Sequence, residues 1–169
     1  MKISMHTMSV EAFVPTLTGL GKILDKAAQH ASAKKFDPAV LVNARLAPDM
    51  FPLAKQVQIA CDFAKGAAAR LTGQEAPKFE DNEQTIDELK ARVARTLDYV
   101  KGFGPAAFEG AEDRDIKLSF PNGMSLEFKG LAFLRDWALP NFYFHAVTAY
   151  DILRHNGIEI GKRDYLNSN

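Results

Sequence analysis

Pro140-Asn141-Phe142-Tyr143-Phe144-His145-Ala146-Val147-Thr148-Ala149-Tyr150-Asp151-Ile152-Leu153-Arg154-His155-Asn156-Gly157 reads as the second half of a long helix, apolar nearly all round, with one histidine in its middle and a stop at Gly157. A helix that is apolar on every side must be enclosed, in a bundle or at a subunit interface. Polar groups on such a helix are costly to bury, so each needs a partner or a purpose. Asn141 and His145 are therefore the first places to look for a site.

Outward from this stretch, the pattern predicts four helices and one hairpin. The fourth helix covers residues 130–156, is roughly 40 Å long at ~1.5 Å per residue, and is expected to kink at Pro140. Before it, Ile116, Leu118 and Phe120 alternate with polar residues, as do Met124, Leu126 and Phe128. Pro121-Asn122-Gly123 lies between them, so residues 116–128 read as a short hairpin. Such a hairpin is marginal alone and should pack on the helices. Helix three covers 84–102, with Ile86, Leu89, Val93, Leu97 and Val100 as its apolar stripe. Helix two covers 51–71 and stops at Gly73, its core stripe running through Val57, Ala60, Ala64, Ala67 and Leu71. Helix one covers 9–33, with Ser9 as N-cap. The stripes predict one core containing Leu20, Leu24, Val57, Ala64, Leu89, Val93, Leu134 and Ile152. Small residues around Gly66 in helix two allow another helix to approach closely.

The 169 residues fit one domain, 1–169. Lys plus Arg and Asp plus Glu balance at 21 each, which argues against a nucleic-acid or anionic-membrane binder, since both need a basic face. No apolar run approaches the roughly 20 residues that span a bilayer. The first six residues lack the apolar core of a secretory signal. Cys61 is the only cysteine, so no intramolecular disulfide and no Cys-rich zinc site can form. These features predict a cytoplasmic protein. There is no Walker loop, dinucleotide fingerprint or nucleophile elbow.

Asn141, His145, Thr148 and Ala149 share one face of helix four. His155, roughly 80° away around the helix, reads as a capping or surface residue. His6 and His30 group with nothing. On helix two, Gln58 and Asp62 share a face, and Gln56 falls beside Ile59 and Phe63, towards the core. Gln56 or Gln58 is the expected hydrogen-bond partner of His145. Cys61 reads as a small buried filler. Arg45 and Asp49 are expected to pair at the start of helix two, and the tail 161–166 to dock through its apolar anchors.

Arg45-Leu46-Ala47-Pro48-Asp49-Met50-Phe51-Pro52-Leu53, Gln56-Val57-Gln58-Ile59-Ala60, Pro140-Asn141-Phe142-Tyr143-Phe144-His145, Leu153-Arg154-His155-Asn156-Gly157 and Gly161-Lys162-Arg163-Asp164 together resemble the hallmark of an uncharacterised family of bacterial and fungal proteins. That family looks like a branch of the DinB/YfiT-like superfamily, regarded as metalloenzymes. The resemblance covers nearly the whole chain. It implies an all-α, up-down-down-up four-helix bundle with the hairpin between helices three and four, usually a homodimer. Some superfamily members are thiol-dependent transferases or isomerases. Their metal set is one histidine on helix two and a His-x-x-x-His pair on helix four. By this resemblance His145 matches the second histidine of the pair, Asn141 stands at the first, and Gln56 or Gln58 at the helix-two position. Neutral amides bind first-row transition metals poorly compared with imidazole.

The expectation is a polar pocket between helices two and four that binds a small molecule through His145, Asn141, Gln58 and Gln56. Two rivals stand beside it. One is a metal-dependent transferase, hydrolase or isomerase using His145 as divalent-metal ligand or catalytic base. The other is a non-catalytic structural or interaction dimer.

Overall fold

The computed structural model describes residues 3–168. The reading of the first six residues thus rests partly on Met1 and Lys2, which lie outside the described residues, as does Asn169 in the domain span 1–169.

Helix α1 (Met5–Lys34) starts earlier than its apolar stripe suggests. Its N-cap is Ser4, whose hydroxyl accepts from the Thr7 N–H at 3.1 Å. Ser9, the expected cap, is buried inside the helix and donates back to the Met5 carbonyl at 2.6 Å, a bond open to any serine one turn into a helix. The correction has a physical cause: two serines five residues apart can both cap, and only packing chooses between them. A short turn, α2 (Ala39–Val42), leads to α3 (Leu53–Leu71), which begins after Pro52 rather than at Phe51. Helix α4 (Ile86–Lys101) opens on a capping box formed by Thr85 and Glu88.

Strands β1 (Asp115–Ser119) and β2 (Ser125–Lys129) pair antiparallel in the predicted place. Gly123, at φ +83°, makes the turn. Ile116 and Leu118 face inward. Helix α5 (Gly130–Ala132) runs through a π turn (Phe133–Ala138) into α6 (Leu139–His155). Where a kink is expected at Pro140, the chain has a π turn that ends two residues before the proline. Proline has no N–H for the carbonyl one turn back and its ring crowds that turn, and here the coil widens just before it.

Residue pairings set the helix directions. Gln56 and Phe63 of α3 meet His145 while Ala67 and Trp137 line one cavity, so α3 and α6 are antiparallel. Asp62 meets Arg92, and Gln74 just past α3 lines one hollow with Tyr99 and Gly102 at the end of α4, so α3 and α4 run the same way. His6 reaches Phe103 and Asp25 reaches Lys90, so α1 opposes α4. This is the up-down-down-up four-helix bundle. The predicted core residues, from Leu20 to Ile152, are all buried together, and Phe13 and Phe142 meet edge to face at 4.8 Å across it.

The tail folds back as α7 (Lys162–Tyr165) on α1. Lys26 donates to Asp164 at 2.6 Å. Gly19 makes the approach possible, since a Cβ there would stand 2.7 Å from the Tyr165 carbonyl oxygen. The expected Arg45–Asp49 pair does not form. Arg45 instead donates to the Met50 carbonyl at 3.2 Å, closing its own loop rather than bridging to an exposed carboxylate. Among the described residues no helix is long and apolar enough to cross a membrane.

Candidate functional site

His145 lies half-buried on α6, facing α3. Its Nδ1 is 2.7 Å from Oε1 of Gln56. Gln56 in turn donates its Nε2 to the Phe51 carbonyl at 3.0 Å. A carbonyl can only accept, so the amide must turn its nitrogen to Phe51 and its oxygen to His145. The Nδ1 of His145 therefore carries the hydrogen and donates. In the neutral ring, Nε2 keeps a free lone pair. Burial pushes the His145 pKa below the ordinary histidine range, which favours that neutral form. Phe63 stacks on the imidazole at 6.2 Å and 14°, and Phe144 meets its edge at 5.2 Å.

The other two expected site residues are not brought to His145. Asn141 donates to the Trp137 carbonyl of its own helix at 2.8 Å. Gln58, one turn-half away from Gln56, points to the opposite side and donates to Glu83 at 2.8 Å. The helical repeat separates positions two apart by about 200°, so only one of the two glutamines can face α6.

Gln58 belongs to a charge network that sequence reasoning missed, buried at Arg92, Glu83 and Lys65 and open to solvent at Asp62, Asp81 and Lys55. Its centre is Arg92, a fully buried side chain. Arg92 donates to Glu83 at 2.9 Å, to the Glu80 carbonyl at 3.1 Å and to Asp62 at 3.0 Å, and lies 2.9 Å from Asp81. Lys65 at 2.9 Å from Asp62 and Lys55 at 2.6 Å from Asp81 complete it. Three carboxylates thus face three cations. The network straps the linker before α4 onto α3. A signal for it existed: Leu89, Arg92, Val93, Thr96 and Val100 form one stripe, so a charge stood on an apolar face. Cys61, buried beside Thr96, has its thiol pushed up to about 11 by burial, which makes it an inert filler.

The superfamily's metal set can be tested against these donors. Of its three imidazoles one is present. The Gln56 oxygen is occupied by His145, and Asn141, whose nitrogen is tied to its own helix, offers only a neutral amide oxygen where the set has an imidazole. No group of three or more His, Cys, Asp or Glu with metal-holding geometry occurs among the described residues. These donors do not fit that set, and the chemistry available here belongs to the imidazole itself.

A cavity of about 260 Å³, which shares Phe63 with the surroundings of His145, lies between α3, β1 and the π turn. Its walls include Phe63, Phe120, Phe133 and Trp137, with Asp62 and Arg70. None of His145, Asn141, Gln56 and Gln58 lines it, and the sequence reading did not find it. A two-stranded hairpin leaves the outer edge of each strand unpaired, and that was the available signal.

Residues 5–166 match the family described as Domain of unknown function (DUF1993). A crystal structure of a DinB family member protein from Shewanella denitrificans superimposes with a TM-score of 0.89 at 48% identity, covering 97% of this chain and 92% of that one. None of the curated proteins matches the chain.

Proposed function

From the premise that this chain belongs to the DUF1993 family, whose description assigns no activity, we propose that it is a small-molecule-binding DinB-type bundle acting as a homodimer. The observation that carries the reading is the cavity of about 260 Å³ between α3, β1 and the π turn. Small-molecule sites combine apolar walls with a few placed polar groups, and this one has four aromatic walls. Its size, just under the ~300–1,000 Å³ of drug-sized pockets, suits a small ligand. Nε2 of His145, its tautomer set by Gln56, is a prepared proton acceptor on a ring that packs against Phe63, a wall of the cavity.

The dimer is supported by apolar side chains left in solvent on the His145 side. Phe51, Phe144 and Val147 are 54%, 58% and 39% exposed, apolar area that a two-fold partner can cover. A cytoplasmic setting is supported by the lone cysteine.

The test is a fragment screen read out through the fluorescence of Trp137. This is the chain's single tryptophan and a wall of the cavity. Fragments that bind and shift its emission are expected. A screen in which no binder moves Trp137 overturns the reading. Light scattering should give a dimer mass at micromolar concentration, reduced to a monomer by Phe144→Glu.

A further inference from the structure

Lys117 and Ser119 border the cavity, yet their side chains are exposed and lie on the face of β1 opposite the buried Ile116 and Leu118. The Lys117 ammonium sits over that outer face, 3.2 Å from Glu127. What the two residues present to the cavity is therefore backbone. The hydrogen-bond pattern agrees. Phe120 donates its N–H to the Met124 carbonyl at 2.9 Å. Hydrogen-bonded pairs in an antiparallel ladder recur at every second residue. Leu118 and Ile116 thus bond to β2, and the N–H and C=O groups of Lys117 and Ser119 point away from it. No bond from these groups to other parts of the protein occurs among the described residues. The cavity is bordered by an open strand edge with donors and acceptors two residues apart, the repeat of an extended peptide.

The charged groups at the cavity are not equivalent. Asp62 is neutralised, its Oδ1 lying 3.0 Å from Arg92 and 2.9 Å from Lys65. Arg70 has no carboxylate partner among the described residues. It folds back along α3 over Gly66, where a Cβ would stand 2.5 Å from its Nη1. The cavity therefore offers one unneutralised guanidinium, an amide-reading edge and aromatic walls. A guanidinium recognises a carboxylate through two parallel hydrogen bonds. A strand edge recognises an extended amide.

We propose that the cavity binds a small carboxylic acid carrying an amide, of the N-acyl amino acid or dipeptide class, laid along β1 with its carboxylate on Arg70 and its apolar side chain among Phe63, Phe120 and Trp137. This rests on the reading of the cavity as a small-molecule site and narrows it to one chemistry.

Three probes separate the parts: N-acetylphenylalanine, its neutral amide N-acetylphenylalaninamide, and 3-phenylpropionate, which keeps the acid and lacks the amide. Binding is followed by Trp137 emission and calorimetry. N-acetylphenylalanine is expected to bind about tenfold tighter than either of the others, the effect of one charge-assisted or edge hydrogen bond. Ser119→Pro removes an edge N–H while leaving the bonds to β2 intact. It should bring N-acetylphenylalanine down to the affinity of 3-phenylpropionate and leave the latter unchanged. Arg70→Gln should bring it down to the affinity of the neutral amide. Equal affinities for the three probes, or no loss in either variant, overturn the proposal while the broader small-molecule reading stands. If Trp137 answers neither these probes nor any fragment, both fall.

Discussion

The imidazole of His145 and the carboxamide of Gln56 form one hydrogen bond of 2.7 Å that joins α6 to α3, and the Phe51 carbonyl decides its polarity. The amide cannot flip without setting two acceptors against each other, so the histidine tautomer is determined by a backbone carbonyl five residues before the glutamine. Removing the ring leaves the buried Gln56 oxygen without a donor. His145→Ala should therefore cost about 1–3 kcal/mol in a urea melt, and His145→Gln less. A double-mutant cycle with Gln56→Ala should show the two sites coupled. Additive effects would mean that the bond contributes nothing to stability.

The same environment makes a statement about pH. Burial lowers the folded-state pKa of His145, so between the folded and unfolded values the unfolded chain binds more protons. Stability is then full above the unfolded value of about 6.5 and falls as pH drops from there through the folded value. Nitrogen-detected NMR should find the Nδ1–H tautomer and a titration midpoint below 6.5. A midpoint at or above that value contradicts the assignment.

Arg92 holds the linker before α4 through Asp62, Asp81 and Glu83. Replacing it with methionine keeps most of the volume but leaves the buried Glu83 carboxylate without its cation, at a cost of about 3–5 kcal/mol, measurable as a fall in Tm. Burial opposes the charge of Asp81, but Lys55 and Arg92 outweigh it and hold its carboxyl below the usual range. Its stabilisation is present above the unfolded value of about 3.9 and lost as pH falls through the lower folded value. Asp81→Asn should flatten the acid limb of the stability curve; an unchanged acid limb would remove Asp81 from this account.

Gly19 is the point at which the tail meets the bundle. In Gly19→Ala the new methyl meets backbone oxygens of Asp164 and Tyr165 at 2.8 and 2.7 Å, and backbone cannot rotate aside as a side chain can. We expect α7 to lift, with a loss of about 1–3 kcal/mol and faster proteolysis after residue 160. Wild-type cleavage rates in the variant would show that the tail accommodates the methyl.

The donors around His145 give a metal prediction. Protein purified without chelator should carry well under one transition metal per chain, because one imidazole beside neutral amides is a poor ligand set. Stoichiometric zinc, nickel or iron that disappears in His145→Ala would reverse this and restore the superfamily's metal chemistry.

Much of this protein is legible as periodicity. The stripes of α1, α3, α4 and α6 and the alternation at 116–128 each repeat in register with one element, so local spacing alone carries them, and the residues they place in the core are buried. The family hallmark is likewise a string of residues, and it carries the bundle's topology. His145 was legible too, as a lone titratable group on an apolar helix. What spacing could not decide was partnership. Gln56 and Gln58 are near-equivalent in sequence, and only the packing of α3 against α6 on one side and the linker on the other sends one to His145 and the other to Glu83. Arg92 stands on its stripe because carboxylates from α3 and a linker arrive around it, and those lie 9 to 30 residues away. The cavity is a property of three elements that meet only after folding, and its edge amides are backbone groups that no side-chain pattern records. Hydrophobic periodicity is a local quantity and is written along the chain; hydrogen-bond and ion-pair partners depend on distances between segments, which exist only in the folded molecule.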